Sequence, residues 1–106
     1  DTPIPGAGTY ASQHIGASAT GTGEYVIRSL SCRQISDNVA SGMTIGEAVD
    51  AVLAQLGRDY DGDIGLIAID ANGVPYANHR TRDMPHAYFS GDGEVVAKMR
   101  VLAKKY

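Results

Sequence analysis

The sequence predicts an α+β domain in which helices cover one face of an antiparallel sheet, and three observations lead there. Apolar residues recur at helical spacing from Glu24 to Ser41 and again from Ile45 to Leu56. Beyond Asp63 the pattern changes to short apolar runs punctuated by turn residues, as strands and hairpins require. Ahead of the helices, Ile15-Gly16-Ala17-Ser18-Ala19 reads as a buried strand of small residues.

The elements follow in chain order. Residues 1 to 14 carry Pro3, Pro5, Gly6 and Gly8 without periodicity, which predicts an ordered loop, then a strand entry and a turn at Ser12-Gln13-His14. Thr20-Gly21-Thr22-Gly23 lies where the small-residue strand would hand over to a helix starting at Glu24. In that helix Val26, Ile27, Leu30, Ile35 and Val39 fall near helical spacing with no interrupting proline, and Gly42 is placed to cap it. Thr44 and Glu47 form a Thr-x-x-Glu capping box. Ile45, Ala48, Val49, Val52, Leu53 and Leu56 then repeat at i, i+3, i+4 and i+7 up to Gly57, which is expected to end the helix, with an exit loop from Arg58 to Asp63. Ile64 to Ile69 is a buried strand, Asp70-Ala71-Asn72-Gly73 a hairpin turn, and Val74 to Asn78 the returning strand. His86 to Ser90 predicts one more strand of the same meander; Glu94 to Lys105 fits a last strand or an amphipathic tail. Such a sheet has exposed edges and few strands for its helix layer, so residues 1–106 are expected to form a single partial domain.

Composition narrows the function. With 106 residues, 43% apolar, 20% charged and a net charge of -3, the chain suits one globular domain and offers no basic stripe, which argues against nucleic acid. No apolar run is long enough to span a membrane. Cys32 is the single cysteine, so an internal disulfide and a cysteine-based zinc cluster are both excluded. The histidines His14, His79 and His86 lack ligand spacing, and no metal is expected.

The strand-to-helix turn at residues 20–23 is the chemically suggestive feature. It gathers free backbone N–H groups, the positive end of a helix dipole and two threonine hydroxyls, which suits a carboxylate, a phosphate or an oxyanion. A phosphate-binding loop over residues 16–22 fails because Thr22 stands where that motif needs lysine. A dinucleotide fingerprint starting at Gly6 fails at Ala11, where a third glycine is required. Asp59, Asp61, Asp63 and Asp70 imitate a calcium loop, but Ile64 replaces its glycine and the second half reads as a strand.

Asp1-Thr2-Pro3-Ile4-Pro5-Gly6-Ala7-Gly8-Thr9-Tyr10-Ala11, Ile15-Gly16-Ala17, Thr20-Gly21-Thr22-Gly23-Glu24 and Ile27-Arg28, with the later Gly65-Leu66-Ile67-Ala68-Ile69-Asp70-Ala71-Asn72-Gly73 and Met84-Pro85, resemble the plant-type L-asparaginase and isoaspartyl peptidase family. Glycosylasparaginases share much of the pattern. The resemblance implies a hydrolase of β-aspartyl amide bonds that needs no cofactor, in L-asparagine or isoaspartyl dipeptides. It implies an N-terminal-nucleophile (Ntn) hydrolase, whose precursor cuts itself to expose a threonine that serves as nucleophile and, through its amine, as base. The fold implied is a four-layer αββα sandwich, of which this chain would be the later portion of the β subunit. The α subunit and the remaining β-subunit residues would then be its partners, in an (αβ)2 assembly with a cytoplasmic location.

Carried over by motif, the resemblance makes Thr20 and Gly21 catalytic, stabilising the tetrahedral oxyanion through the threonine hydroxyl and the glycine N–H. Asp1 would hold the substrate ammonium, and Gly21 and Gly23 would meet substrate through the backbone. The nucleophile and the arginine that grips the substrate carboxylate would lie upstream. Thr2 is a poor nucleophile candidate, since Pro3 and Pro5 cannot donate the ladder bonds of a nucleophile-bearing strand. The alternatives are a glycosylasparaginase-type hydrolase or an inactive relative serving as an interaction fragment.

Overall fold

The computed structural model describes residues 3–59, 63–81, 84–89 and 95–98. Strands β1 (Thr9–Ala11) and β2 (Ile15–Gly21) lead into helices α1 (Gly23–Ser29), α2 (Ser31–Ala40) and α3 (Ile45–Asp59), and these into β3 (Ile64–Asp70), β4 (Pro75–His79), β5 (His86–Phe89) and β6 (Val95–Lys98). The first four strands form one antiparallel sheet in the order β1-β2-β3-β4, and β5 and β6 pair separately. The single meander expected from the sequence is therefore split in two.

The helices lie on one face of the larger sheet. Ala19 sits opposite Leu66 and Gly21 opposite Ile64, so these positions share that face with Ile15 and Ala68. Ile15, Ala19, Ile64, Leu66 and Ala68 are buried together with Cys32 and Ile35 of α2 and Val49, Val52, Leu53 and Leu56 of α3, whereas Gly21 at the strand end is exposed. Tyr76 Oη and Asn78 Nδ2 both donate to Asp50 Oδ1, at 2.8 and 3.0 Å, tying the sheet to α3, and within the helix layer Asn38 Nδ2 donates to the Ala48 carbonyl at 3.3 Å. The opposite face carries Gly16, Ser18, Thr20, Gly65, Ile67 and Ile69, and there Ile67 and Ile69 are 46% and 44% exposed. Between this open face and the β5–β6 hairpin lies a cavity of about 1060 Å³, walled by Ser18, Ile67, Ile69, Ala77, Tyr88 and Lys98 among others.

The helical stretch predicted as continuous from Glu24 to Ser41 is broken at Leu30, which adopts a left-handed conformation at φ 49° and ψ 53°. A continuous helix would send the Cys32 and Arg33 N–H groups back along its own axis. Instead they donate to the Ala7 and Gly6 carbonyls, at 3.2 and 2.9 Å, so the proline- and glycine-rich loop caps α2. Leu30 and the Arg33 stem lie close above Gly6, which itself has φ +88°. Periodicity reports an apolar face but not a change of axis, and so it missed the break.

At the other end of α2, Gly42 N–H bonds to the Val39 carbonyl and Met43 N–H to that of Asn38, a Schellman arrangement around the expected glycine. The capping box is present in both directions, Thr44 N–H to Glu47 Oε1 at 2.9 Å and Glu47 N–H to Thr44 Oγ1 at 3.2 Å. Gly57, expected to terminate the helix, is instead inside α3, which runs on to Asp59. Here the glycine makes room rather than a stop, since a Cβ on it would fall 1.4 Å from Arg80 Nη1.

Candidate functional site

Thr20 and Gly21 are the last two residues of β2, and Gly23 is the first of α1. The strand ends in an unusual way. Thr22 N–H donates to the Asp63 carbonyl at 2.7 Å, so Thr22 and Asp63 continue the β2–β3 ladder one step beyond the strand. Hydrogen-bonded and non-bonded pairs alternate along an antiparallel ladder, which makes Gly21–Ile64 a non-bonded pair. The Gly21 N–H therefore points away from β3, toward the side occupied earlier by β1.

On that side β1 has already departed. Ala19 N–H is met by the Gly8 carbonyl at 2.9 Å, and Ser18 Oγ donates to the same carbonyl at 3.2 Å. Gly6 holds the next bonding position in register, but its N–H bonds to the Thr9 carbonyl and its own carbonyl accepts from Arg33. Among the described residues none accepts from the Gly21 N–H, and none bonds to the hydroxyl of the exposed Thr20. The residue at 21 must be glycine on two grounds. Its φ is +121°, and a Cβ there would lie 1.8 Å from the Asp63 carbonyl oxygen.

Thr22 opens α1 at φ -71° and ψ 97° with no side-chain cap, so the Gly23 N–H heads the helix as one of its unpaired donors. Glu24 lies in the first turn and pairs with Arg28 at 3.6 Å, both side chains well exposed, a contact of little energetic weight. The junction of β2 and α1 thus brings a hydroxyl, a strand N–H and a helix N–H close together in sequence, none of them with an acceptor among the described residues. Such a cluster can stabilise negative charge on an oxygen.

Asp1, the remaining candidate, lies outside the described residues. The loop from Ile4 to Gly8 that leads from it is firmly held. Ala7 is fully buried, Ala7 and Gly8 N–H groups both bond to the Ile4 carbonyl, and Gly6 and Ala7 cap α2. The cavity of about 1060 Å³ is built around Gly16, Ala17 and Ser18 and takes in none of Thr20, Gly21 and Gly23. Residues 16–21 form strand rather than loop, which removes the phosphate-loop reading. Among the described residues no cluster of three or more His, Cys, Asp or Glu could hold a metal, and no helix is long and apolar enough to cross a membrane.

Two residues beside Thr20 went unassigned in the sequence. Gly65 is its partner across the ladder, and the buried Met84 packs over Gly65. Both stand in segments that match the family pattern, so a signal was there, but nothing local links residue 84 to residue 20.

Comparison with known proteins supplies a second line of information. Residues 1–97 match the family described as Asparaginase. A plant-type L-asparaginase of Pyrococcus horikoshii is 39% identical over 89 residues, which is 83% of this chain and 29% of the relative. A probable isoaspartyl peptidase/L-asparaginase of Arabidopsis thaliana is 37% identical over 94 residues, 88% of the chain and 28% of the relative. An isoaspartyl peptidase/L-asparaginase of Danio rerio is 36% identical over 88 residues, 82% of the chain and 28% of the relative. The chain thus spans less than a third of the length of these relatives.

Proposed function

The chain belongs to the asparaginase family, and on that premise we propose that it is the oxyanion-stabilising portion of an Ntn hydrolase acting on β-aspartyl amides. The substrate is L-asparagine or an isoaspartyl dipeptide. A threonine in a part of the protein preceding these residues supplies the nucleophilic hydroxyl and, through its amine, the base. Its oxygen bonds to the amide carbon, and the carbonyl electrons move onto oxygen. There the Thr20 hydroxyl and the Gly21 N–H donate to the oxyanion. Collapse of that intermediate expels the amine with the proton taken from the nucleophile, and water then releases the aspartyl product. Asp1 holds the substrate ammonium, and Gly23 offers backbone contact to the substrate carboxylate.

One observation carries this reading: a hydroxyl and a backbone N–H, adjacent at the exposed end of β2 and both without an acceptor among the described residues. The helix layer on one side of the sheet and an apolar open face on the other fit one half of an αββα sandwich, whose second sheet comes from the rest of the protein.

The test uses the complete, self-processed enzyme. Gly21→Ala is unsuitable, because its collision with the Asp63 carbonyl would disturb folding as well as chemistry. Thr20→Ala is the clean variant, since Thr20 is exposed and its hydroxyl bonds to nothing else in the described residues. Loss of one oxyanion donor is expected to lower kcat for L-asparagine about 100-fold with KM nearly unchanged. An unaltered kcat would refute the assignment.

A further inference from the structure

We propose that Met84, seated over Gly65, is a positioning residue that sets the side-chain rotamer of Thr20. This rests on the reading of Thr20 as an oxyanion donor. Thr20, Gly65 and His79 form one row across β2, β3 and β4 on the open face of the sheet. At the centre of the row the side chain is missing. A Cβ built on Gly65 would lie 2.5 Å from Met84 Sδ, 3.4 Å from Met84 Cγ and 3.1 Å from Thr20 Cγ2. The thioether and the threonine methyl therefore converge on the same gap. Met84 is only 6% exposed and is held from its own backbone, where its carbonyl accepts from His86 Nδ1 at 2.6 Å.

The consequence for Thr20 is stereochemical. Its Cβ carries one methyl and one hydroxyl on staggered positions, so directing the methyl inward onto the gap turns Oγ1 away from β3. The hydroxyl is thereby left on the exposed side of the residue, without a protein partner among the described residues. In an unfilled gap the threonine could rotate and spend part of its time with the methyl at the site and the hydroxyl turned inward. Methionine suits the role because its flexible, polarisable chain fills an irregular space. Gly65 suits it because any side chain at that position would displace both neighbours.

The experiment is a double-mutant cycle in the complete, self-processed enzyme, following release of ammonia from L-asparagine. Met84→Ala is expected to lower kcat about 10-fold with KM within about 2-fold, the signature of a misplaced donor rather than lost binding. Met84→Leu, which keeps the volume, should return kcat to within about 2-fold of the parent. Thr20→Ser keeps the hydroxyl but lacks the methyl to be braced, so in that background Met84→Ala should cost no more than about 2-fold. An equal loss from Met84→Ala in both backgrounds, or no loss in the parent, overturns the proposal. Thr20→Ala separates the two levels: if it leaves kcat unchanged the oxyanion reading itself fails, whereas a crippled Thr20→Ala with additive Met84 effects defeats only the positioning role. Should Met84→Ala not accumulate as folded enzyme, Met84→Val carries the same cycle with the same criteria.

Discussion

At the scale of single residues, glycines do different work according to what stands against them. Gly21 stands against a backbone carbonyl that cannot yield, whereas Gly57 faces only the flexible end of Arg80. Sequence reading took the second for a helix stop, since a glycine after an amphipathic stretch is the usual signal; the fold uses it as clearance for an arginine. Cys32 offers a residue-level prediction. It is fully buried in α2, and burial pushes its thiol from the ordinary value of 9.0 up to about 12. The unfolded chain ionises first, so above pH 9 it binds fewer protons than the folded chain, and stability falls as pH rises from 9 toward about 12. Cys32→Ala should flatten that alkaline decline in thermal unfolding scans; an unchanged pH profile would show that the thiol does not contribute. Iodoacetamide should likewise modify Cys32 only as fast as the protein opens.

At the scale of elements, local chemistry was legible wherever it closes on itself within a few residues. The Thr44–Glu47 box, the Asp70–Gly73 turn with Asp70 Oδ1 accepting from Asn72 and Val74 N–H, and the glycine after α2 all stand where the sequence placed them. Thr44→Ala removes the side-chain half of that box, and an unfolding measurement should find a loss of about 1 kcal/mol. A loss below about 0.3 kcal/mol would mean that α3 is held by packing alone. The break at Leu30 was illegible because its cause is not local. A left-handed leucine costs about 1–2 kcal/mol, and what offsets it is the capping of α2 by carbonyls more than twenty residues earlier in the chain. The candidate site follows the same division. Thr20, Gly21 and Gly23 could be picked out as a glycine-rich turn, but that the Gly21 N–H escapes the ladder depends on where β1 leaves β2 and on Asp63 extending β3.

At the scale of the whole molecule, helices cover one face of the larger sheet and the other face exposes apolar side chains. Ile67 and Ile69 stand nearly half exposed beside a large apolar cavity, although they belong to a central strand. If a second sheet packs there, as the proposed sandwich requires, Ile67→Asp buries a charge and should lower stability by about 3 kcal/mol or more. On a solvent-facing surface the same change would stay within about 0.5 kcal/mol, and a melting temperature unmoved by it would exclude the covering layer. The sequence by itself determined the family, the helix-then-hairpin order, the helical core face and the strand-to-helix junction at residues 20–23, because periodicity, capping and motif spacing are properties of neighbouring residues. Only the tertiary structure decided that β5 and β6 leave the main sheet, that the helix breaks at Leu30, and that Met84 closes over Gly65 beside Thr20. Those features arise where distant segments compete for the same space and the same hydrogen bonds, and a linear pattern carries no record of that competition.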